Sequence, residues 1–309
     1  MRIIIPGQPI PYARQTGKTK KTKLRLAIIG CGHWGKILAK KFEELDCRVV
    51  KYDEDENKGW DVYQAPTWGA LNAITNDVEA VLIATPNNTH YTLALDLLRL
   101  GKHVWVEKPL AVNYVQAKTL VELSEEKNLI LMVNHQLIYH QAVQWLKMKC
   151  LQHKPIQIIS TRLGWNPRKQ EENVVWNLAP HSLSIIGELI EDFDDIKISP
   201  FSVQNFGNYV HLSGILNNTG IICEVASNWP KTERRTIVTL KGNQTYCFDE
   251  NTNTIRGWLG DKEICDMAFY DDDPLKEACK DFIDSIKEKR EPLSSARKQL
   301  KVYGLLGGE

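Results

Sequence analysis

The sequence predicts an α/β protein of two domains, the first of them built on a doubly wound parallel sheet. Two observations predict this class. Short, continuous apolar runs alternate with helix-like segments over the first half of the chain, as they do in parallel sheets that are buried on both faces. The length of 309 residues also exceeds what one typical domain needs. We expect the domains to span residues 24–138 and 139–309.

Five apolar runs in the first half are predicted strands, at residues 24–30, 47–53, 78–84, 103–107 and 129–133. Helix-like patterns lie between them, at residues 33–45, 89–101 and 113–127. Asn113 is expected to cap the third of these helices, with Gln116 at its third position. In sheets of this kind, ligands bind beyond the carboxyl ends of the strands.

The second half shows strand-like runs separated by turns rich in Asn, Gly and Lys, at residues 211–218, 220–229, 234–242 and 244–250. An amphipathic helix is predicted over residues 276–289. This change of pattern is the reason for expecting a second domain.

Composition excludes several classes of function. The formal net charge is +1, so the whole protein has no strong field for nucleic acid or an anionic membrane. No apolar run is long enough to cross a bilayer. Residues 1–23 read as a flexible basic leader and not as a secretory signal. Seven scattered cysteines without a CxxC pair favour free thiols in the cytoplasm and argue against a zinc site.

A glycine motif follows the first predicted strand directly and opens the first helix, as Gly30-Cys31-Gly32-His33-Trp34-Gly35. This G-x-G-x-x-G in a strand–helix context predicts a dinucleotide site, with a ligand-free turn as the alternative. Gly30 permits the tight turn, Gly32 lets a pyrophosphate approach the backbone, and Gly35 lets the helix pack on the strand. Free N–H groups at the helix N-terminus would receive the phosphates.

Asp53 ends the second predicted strand. A carboxylate at this point accepts hydrogen bonds from the adenosine ribose hydroxyls and repels a 2′-phosphate, so it favours NAD over NADP. Lys51 and Lys58 are close enough in sequence to keep NADP as an alternative. The other interpretation of Asp53 is an ordinary solvated acid in a loop.

Two further strand ends carry polar residues. The strand at 78–84 runs into a turn shaped by Pro86, in which Thr85, Asn87 and His90 are expected to face the nicotinamide end of the dinucleotide. The strand at 103–107 ends in Glu107, Lys108 and Pro109. Because these turns follow parallel strands, both lie on the ligand side of the sheet.

With GCGHWG, IATPNNTH and WVEKPL in this order and spacing, the chain resembles the Gfo/Idh/MocA oxidoreductase family over about residues 24–303. The likeness includes VVWNLAPHSLSII and is greatest to members that act on nucleotide-linked sugars. It implies a Rossmann domain followed by an α/β domain on an open, mostly antiparallel sheet. It also implies hydride transfer between NAD(P) and a secondary alcohol or ketone of a sugar, by homodimers or homotetramers packed through the open face of that sheet.

The resemblance assigns catalysis to Lys108 and His181. An ammonium beside an oxidised nicotinamide feels a like charge, which lowers its pKa and suits it to proton transfer. An imidazole exchanges protons near neutral pH. Glu107 is expected to position Lys108 or to hold the nicotinamide amide. The alternatives without a catalytic role are a solvated lysine and an interior, hydrogen-bonded histidine.

Asn177 lies four residues before His181, on the same face of a helix. Relatives commonly carry Asp at this position, whereas Asn binds a substrate without sharing a proton, so Lys108 and His181 are the expected pair. In the alternative interpretation, Asn177 is the helix N-cap and Pro180 lies in the first turn.

The substrate is less well determined. Arg162, Trp165 and Arg168 are candidates for contacts to a nucleotide, although they read equally well as surface residues. Residues 137–139 lack the arginine that many relatives have. Two other functions stay open, a non-catalytic NAD-binding regulatory protein on the same fold and a reductase similar to biliverdin reductase.

Overall fold

The chain forms two compact units in a computed structural model that describes residues 23–55, 62–64, 77–164, 174–190, 202–206, 208–227 and 229–306. The first unit combines the residues up to Asn134 with Leu275–Arg297, and the second takes His135–Pro274 and the residues from Lys298 onward. The single division predicted after residue 138 therefore differs from the observed one. The predicted leader, apart from Lys23, lies outside the described residues.

The described strands are β1 Arg25–Ile29, β2 Arg48–Asp53, β3 Val62–Gln64, β4 Ala80–Ile83, β5 His103–Glu107, β6 Leu131–Asn134, β7 Pro155–Gly164, β8 Ser202–Asn205, β9 Tyr209–Leu216, β10 Thr219–Ser227, β11 Glu233–Leu240, β12 Gln244–Asp249, β13 Thr254–Leu259 and β14 Lys262–Ala268. The helices are α1 His33–Glu44, α2 His90–Arg99, α3 Tyr114–Glu126, α4 Gln141–Gln152, α5 Val174–Leu189, α6 Pro274–Glu288 and α7 Ala296–Gly304.

The first unit is a parallel sheet in the order β3-β2-β1-β4-β5-β6. The strand order reverses between β1 and β4, which is the switch point of a doubly wound sheet. All five predicted strands are present, and the fold class is confirmed. The short strand β3 was missed, because three residues carry no readable periodicity.

The return of α6 to the first unit has a simple packing reason. Its apolar residues recur every three or four positions and form a stripe that is buried in this unit. Phe282 from this stripe makes edge-to-face contacts with Trp105 of β5 and Phe42 of α1, with ring centroids 5.6 and 6.1 Å away. Fully buried aromatic rings contribute strongly to core stability.

The start of α3 follows the predicted capping. Asn113 has an extended backbone, and its side chain accepts a hydrogen bond from the backbone N–H of Gln116 at 2.9 Å. This bond satisfies one of the donors that a helix N-terminus leaves open. The cap fixes where the chain resumes a helix after the turn that contains Lys108.

The second unit is an open sheet in the order β14-β13-β12-β11-β7-β10-β9-β8. Among its described strands only β7 and β10 pair in parallel, so the sheet is mostly antiparallel, as the family resemblance implied. Helix α5 packs on β7 and β10 through fully buried apolar side chains that include Leu183 and Ile186. In the described parts of both units, no helix combines the length and apolar character needed to span a membrane.

Candidate active site

The turn after β1 requires glycine at two positions. Gly30 has φ +94°, and a Cβ there would lie 2.5 Å from the carbonyl oxygen of Ala84. A Cβ on Gly35 would lie 1.8 Å from the carbonyl oxygen of Gly30. Both distances are far below van der Waals contact, so α1 approaches β1 and the end of β4 as closely as backbone atoms allow. The turns after β1 and β4 are thereby brought together.

Gly32 has the opposite surroundings. Apart from its chain neighbours and the backbone of α1, no described residue has a heavy atom within 4 Å of the place where its Cβ would stand. Gly32 is also the N-cap of α1, contributes no capping side chain, and the first turn of this helix carries no acid. Backbone N–H groups at such a terminus attract an anion. The turn therefore fits the pyrophosphate of a dinucleotide. The side chains of His33 and Trp34 beside it are exposed.

Asp53 braces this turn from the end of β2. Its carboxylate accepts hydrogen bonds from the backbone N–H of Cys31 at 2.6 Å and of Asp55 at 3.0 Å. The residue is 6% exposed, so the alternative interpretation as a solvated loop acid is wrong. An ionised carboxylate has about four acceptor positions. At least two of them accept from backbone N–H groups, which holds the carboxylate beside the turn after β1.

The turn after β4 is held by its own side chains. The hydroxyl groups of Thr85 and Thr89 lie 2.6 Å apart. The carbonyl oxygen of Pro86 accepts hydrogen bonds from both the N–H and the hydroxyl of Thr89, at 2.9 and 2.7 Å. Asn87, which begins the short 3-10 turn that follows, is partly exposed. Thr85 and Asn87 thus stand on a hydrogen-bonded turn at the carboxyl edge of the sheet.

His90 lies deeper than the sequence indicated. Its side chain is buried, with the residue 1% exposed, and both ring nitrogens face backbone carbonyl oxygens. Nδ1 is 2.7 Å from the oxygen of Pro109, and Nε2 is 2.9 Å from the oxygen of Thr85. The predicted role of facing the nicotinamide does not match this orientation. The ring joins two turns instead.

Glu107 is the last residue of β5 and stands opposite Asn134 of β6. The Asn134 amide donates to its carboxylate at 2.7 Å. Burial raises the pKa of Glu107 to about 7, although the Asn134 hydrogen bond and the charge of Lys108 act in the other direction. Lys108 is partly buried, and the peptide bond that joins it to Pro109 is cis.

His181 and Asn177 both lie on α5, in the second unit. This helix begins at Val174, so the interpretation of Asn177 as its N-cap is wrong. The Asn177 side chain lies outside the described part of the structure. His181 is partly exposed, and its carbonyl oxygen accepts a hydrogen bond from the Ser184 hydroxyl at 2.9 Å.

The sequence interpretation missed His135. This residue directly follows β6, is 1% exposed, and stands edge-to-face with His181, with ring centroids 6.4 Å apart. A histidine next to the carboxyl end of a parallel strand was a signal that could have found it.

Arg162 is paired with another residue of the second unit. Its guanidinium donates to Glu250 at 2.6 Å, and both side chains are 9% exposed. This buried ion pair commits the guanidinium to the interior of the second unit. The companion candidates Trp165 and Arg168 lie outside the described residues.

Comparisons with known proteins agree with this geometry. Residues 24–135 match the model of the Gfo/Idh/MocA family, described as an oxidoreductase family with an NAD-binding Rossmann fold. A UDP-N-acetylglucosamine 3-dehydrogenase from Acidithiobacillus ferrooxidans is 25% identical over 285 residues, which cover 86% of this chain and 90% of that protein.

Solved structures show the same fold over nearly the whole chain. The structure of that dehydrogenase has a TM-score of 0.82 at 20% identity, covering 92% of this chain and 96% of the other. A 3-ketoreductase from Actinomadura kijaniata, solved with TDP-benzene and NADP, has a TM-score of 0.78 at 14% identity, with coverages of 92% and 96%. A biliverdin reductase from Synechocystis, solved with biliverdin and NADP+, has a TM-score of 0.73 at 19% identity, with coverages of 92% and 97%.

Proposed function

We propose, from the premise that this chain belongs to the Gfo/Idh/MocA oxidoreductase family, that it is a dehydrogenase or ketoreductase acting on a nucleotide-linked sugar. The observation that carries the proposal is the position of Lys108. It directly follows β5, on the same edge of the sheet as the glycine turn after β1. The likeness to a UDP-N-acetylglucosamine 3-dehydrogenase along most of the chain supports the class of substrate.

When bound, NAD(P) supplies an acceptor or donor of hydride at its nicotinamide ring. Lys108 and His181 form the acid–base pair in this proposal. Oxidation of a sugar hydroxyl requires a group that takes up its proton, and an ammonium that has lost a proton or an imidazole can do so. Asn177 contributes a hydrogen bond to the substrate and no proton. Glu107 holds the start of the turn that carries Lys108.

NAD is the cofactor that we propose, in preference to NADP. The support is the buried Asp53 carboxylate at the end of β2, bonded to the N–H of Cys31 beside the phosphate-binding turn. A negative charge fixed there repels the 2′-phosphate of NADP and accepts hydrogen bonds from the ribose of NAD.

The experiment is to incubate purified protein with NAD and a panel of sugar nucleotides that includes UDP-N-acetylglucosamine, following the absorbance of reduced nicotinamide. Lys108→Met and His181→Ala should abolish turnover and keep NAD binding. Lys118→Met is the matched control, because this lysine is exposed on α3. Equal turnover in the wild type and in Lys108→Met would contradict the catalytic assignment.

The other outcomes separate the alternatives. NAD binding without turnover of any sugar nucleotide would favour a regulatory protein on the same fold. Turnover of biliverdin in place of sugars would favour a biliverdin-type reductase, whose fold this chain shares.

A homodimer or homotetramer is the proposed assembly. Four residues on neighbouring strands of the second sheet pair side by side and are partly exposed: Ile222, Ile159, Ile237 and Cys247. Their chain neighbours on the other face, such as Ile158, are fully buried. The four residues thus mark an apolar strip on the face away from α5. Ile237→Glu should lower the mass measured by light scattering, while Ile264→Glu on the edge strand should not.

A reducing compartment, the cytoplasm, is the location that we propose. All seven cysteines lie in the described residues and are free thiols. Burial raises the pKa of Cys150 and Cys223 to about 12, which keeps both thiols protonated and unreactive. Titration of the denatured protein, purified without a reductant, should find all seven thiols free, and a lower number would contradict a reducing compartment.

A further inference from the structure

We propose that His90 is a positioning residue that ties the turn carrying Lys108 to the end of β4 and so sets where the lysine ammonium stands. This inference rests on the proposed function only for the catalytic role of Lys108. The tie itself is a property of the first unit. It replaces the expectation that the His90 ring contacts the cofactor.

The contacts of the His90 ring lie just beyond the last paired residues of the sheet. The last paired residues of β4 and β5 are Ile83 and Val106. Thr85 and Pro109 lie beyond them, so the ladder of the sheet no longer holds their peptide groups side by side. The His90 ring stands between these two groups, within 2.9 Å of the carbonyl oxygen of each. Because Pro109 directly follows Lys108, one end of the tie is next to the catalytic residue.

The His90 ring has few accessible conformations, and the helix that carries it is anchored in the core. His90 is the first residue of α2, and this helix is anchored in the core by Ala94, Leu97 and Leu98. An imidazole has only two side-chain torsions, and its two nitrogens point in fixed, divergent directions. A ring that is buried in this way cannot swing toward a ligand without breaking its hydrogen bond to a backbone carbonyl group, which costs free energy.

The protonation state of the ring determines how a substitution acts. Burial lowers the pKa of His90, the two carbonyl groups act against this, and the charge of Lys108 lowers it further. A neutral imidazole carries one N–H and donates to one of the two oxygens at a time. A glutamine amide can supply such a donor, whereas a phenylalanine ring fills the space and supplies none.

The test compares His90→Phe, His90→Gln and the control His153→Phe, in which the replaced histidine is exposed. With UDP-N-acetylglucosamine as the probe, His90→Phe should lower kcat by about tenfold or more, because small displacements of catalytic groups are costly. KM and the Kd for NAD should change by less than about twofold, since no binding contact is lost. His90→Gln should recover part of kcat, and His153→Phe should match the wild type.

A second readout needs no substrate. Amide hydrogen exchange of peptides covering residues 105–112 should be faster in His90→Phe than in the wild type, and intermediate in His90→Gln. Unchanged exchange in His90→Phe would overturn the tie. A loss of NAD affinity as large as the loss of kcat would overturn positioning in favour of cofactor contact. A wild type inactive on every sugar nucleotide would refute the proposed function, and the exchange data would still decide about His90.

Discussion

The Asn134 amide donates a 2.7 Å hydrogen bond to the Glu107 carboxylate across the last register position of β5 and β6. This contact lies at the carboxyl edge of the parallel sheet, one residue before Lys108. It places a partly buried carboxyl group, whose pKa burial raises to about 7, beside the proposed catalytic lysine. The protonation of Glu107 is therefore coupled both to the stability of the first unit and to the charge next to Lys108.

Glu107→Gln should change how stability depends on pH. The folded pKa of about 7 is above the ordinary 4.5, so between these values the folded state binds the proton more tightly than the unfolded state. The free energy of unfolding then falls as pH rises through this window, by about 3 kcal/mol at most, and is flat above it. Glu107→Gln should remove this slope in thermal unfolding from pH 4.5 to 8. Glu122→Gln, which replaces an exposed acid of α3, should keep the slope. Stability curves of the same slope in the wild type and both variants would contradict the raised pKa of Glu107.

Two glycine substitutions should separate folding from cofactor binding. Gly32→Ala puts a methyl group into open space, so the melting temperature should be unchanged, but the methyl group stands where the pyrophosphate approaches. We expect the Kd for NAD to rise about tenfold, equivalent to about 1.4 kcal/mol. Gly35→Ala would clash with the carbonyl of Gly30 and should destabilise the protein by at least about 2 kcal/mol. Full NAD affinity in Gly32→Ala, measured by calorimetry, would argue against the phosphate site.

Asp53→Asn should weaken the discrimination between NAD and NADP. The substitution keeps an oxygen for the N–H of Cys31 and removes the charge that repels a 2′-phosphate. The ratio of the two Kd values should move toward NADP by about tenfold, which is the effect of about 1.4 kcal/mol. Glu54→Gln is the control, because this neighbouring acid is exposed. An unchanged ratio of the two Kd values in Asp53→Asn would show that Asp53 does not select the cofactor.

Arg162→Met should destabilise the second unit strongly. The substitution leaves the Glu250 carboxylate buried without its 2.6 Å partner, which costs about 3–5 kcal/mol. The double variant Arg162→Met with Glu250→Leu should recover much of the loss, because apolar side chains of similar size replace both charges. Urea unfolding of the two variants measures the difference. A single variant as stable as the wild type would mean that the pair is not buried in solution.

The first unit was largely predictable because its signals are local. The apolar runs and the glycine spacing each reflect backbone requirements within a few residues, and Asn113 caps its helix through a residue only three positions on. The second unit was less predictable from the sequence. Only four of its eight described strands were predicted. Two of the four missed strands, β8 and β14, are exposed edge strands that lack an apolar pattern.

The candidate site shows where sequence reasoning stops. The place of Lys108 after a strand could be predicted, but the inward orientation of His90 could not, because Pro109 lies 19 residues away in the chain. The commitment of Arg162 to Glu250 spans 88 residues and is equally invisible in a local pattern. His135 was overlooked because its partner His181 is brought to it only by the packing of α5.

By itself, the sequence determined the strand–helix alternation, the dinucleotide-binding turn and the strand end that carries Lys108. These depend on periodicity, on glycine conformations and on the polarity of parallel strands, all of which act over short stretches of chain. The tertiary structure alone decided the return of residues 275–297 to the first unit, the buried ion pair and the ring of His90 between two turns. Those features depend on residues that are distant in sequence, because buried charges and carbonyl groups need polar partners and apolar rings need a core to pack into.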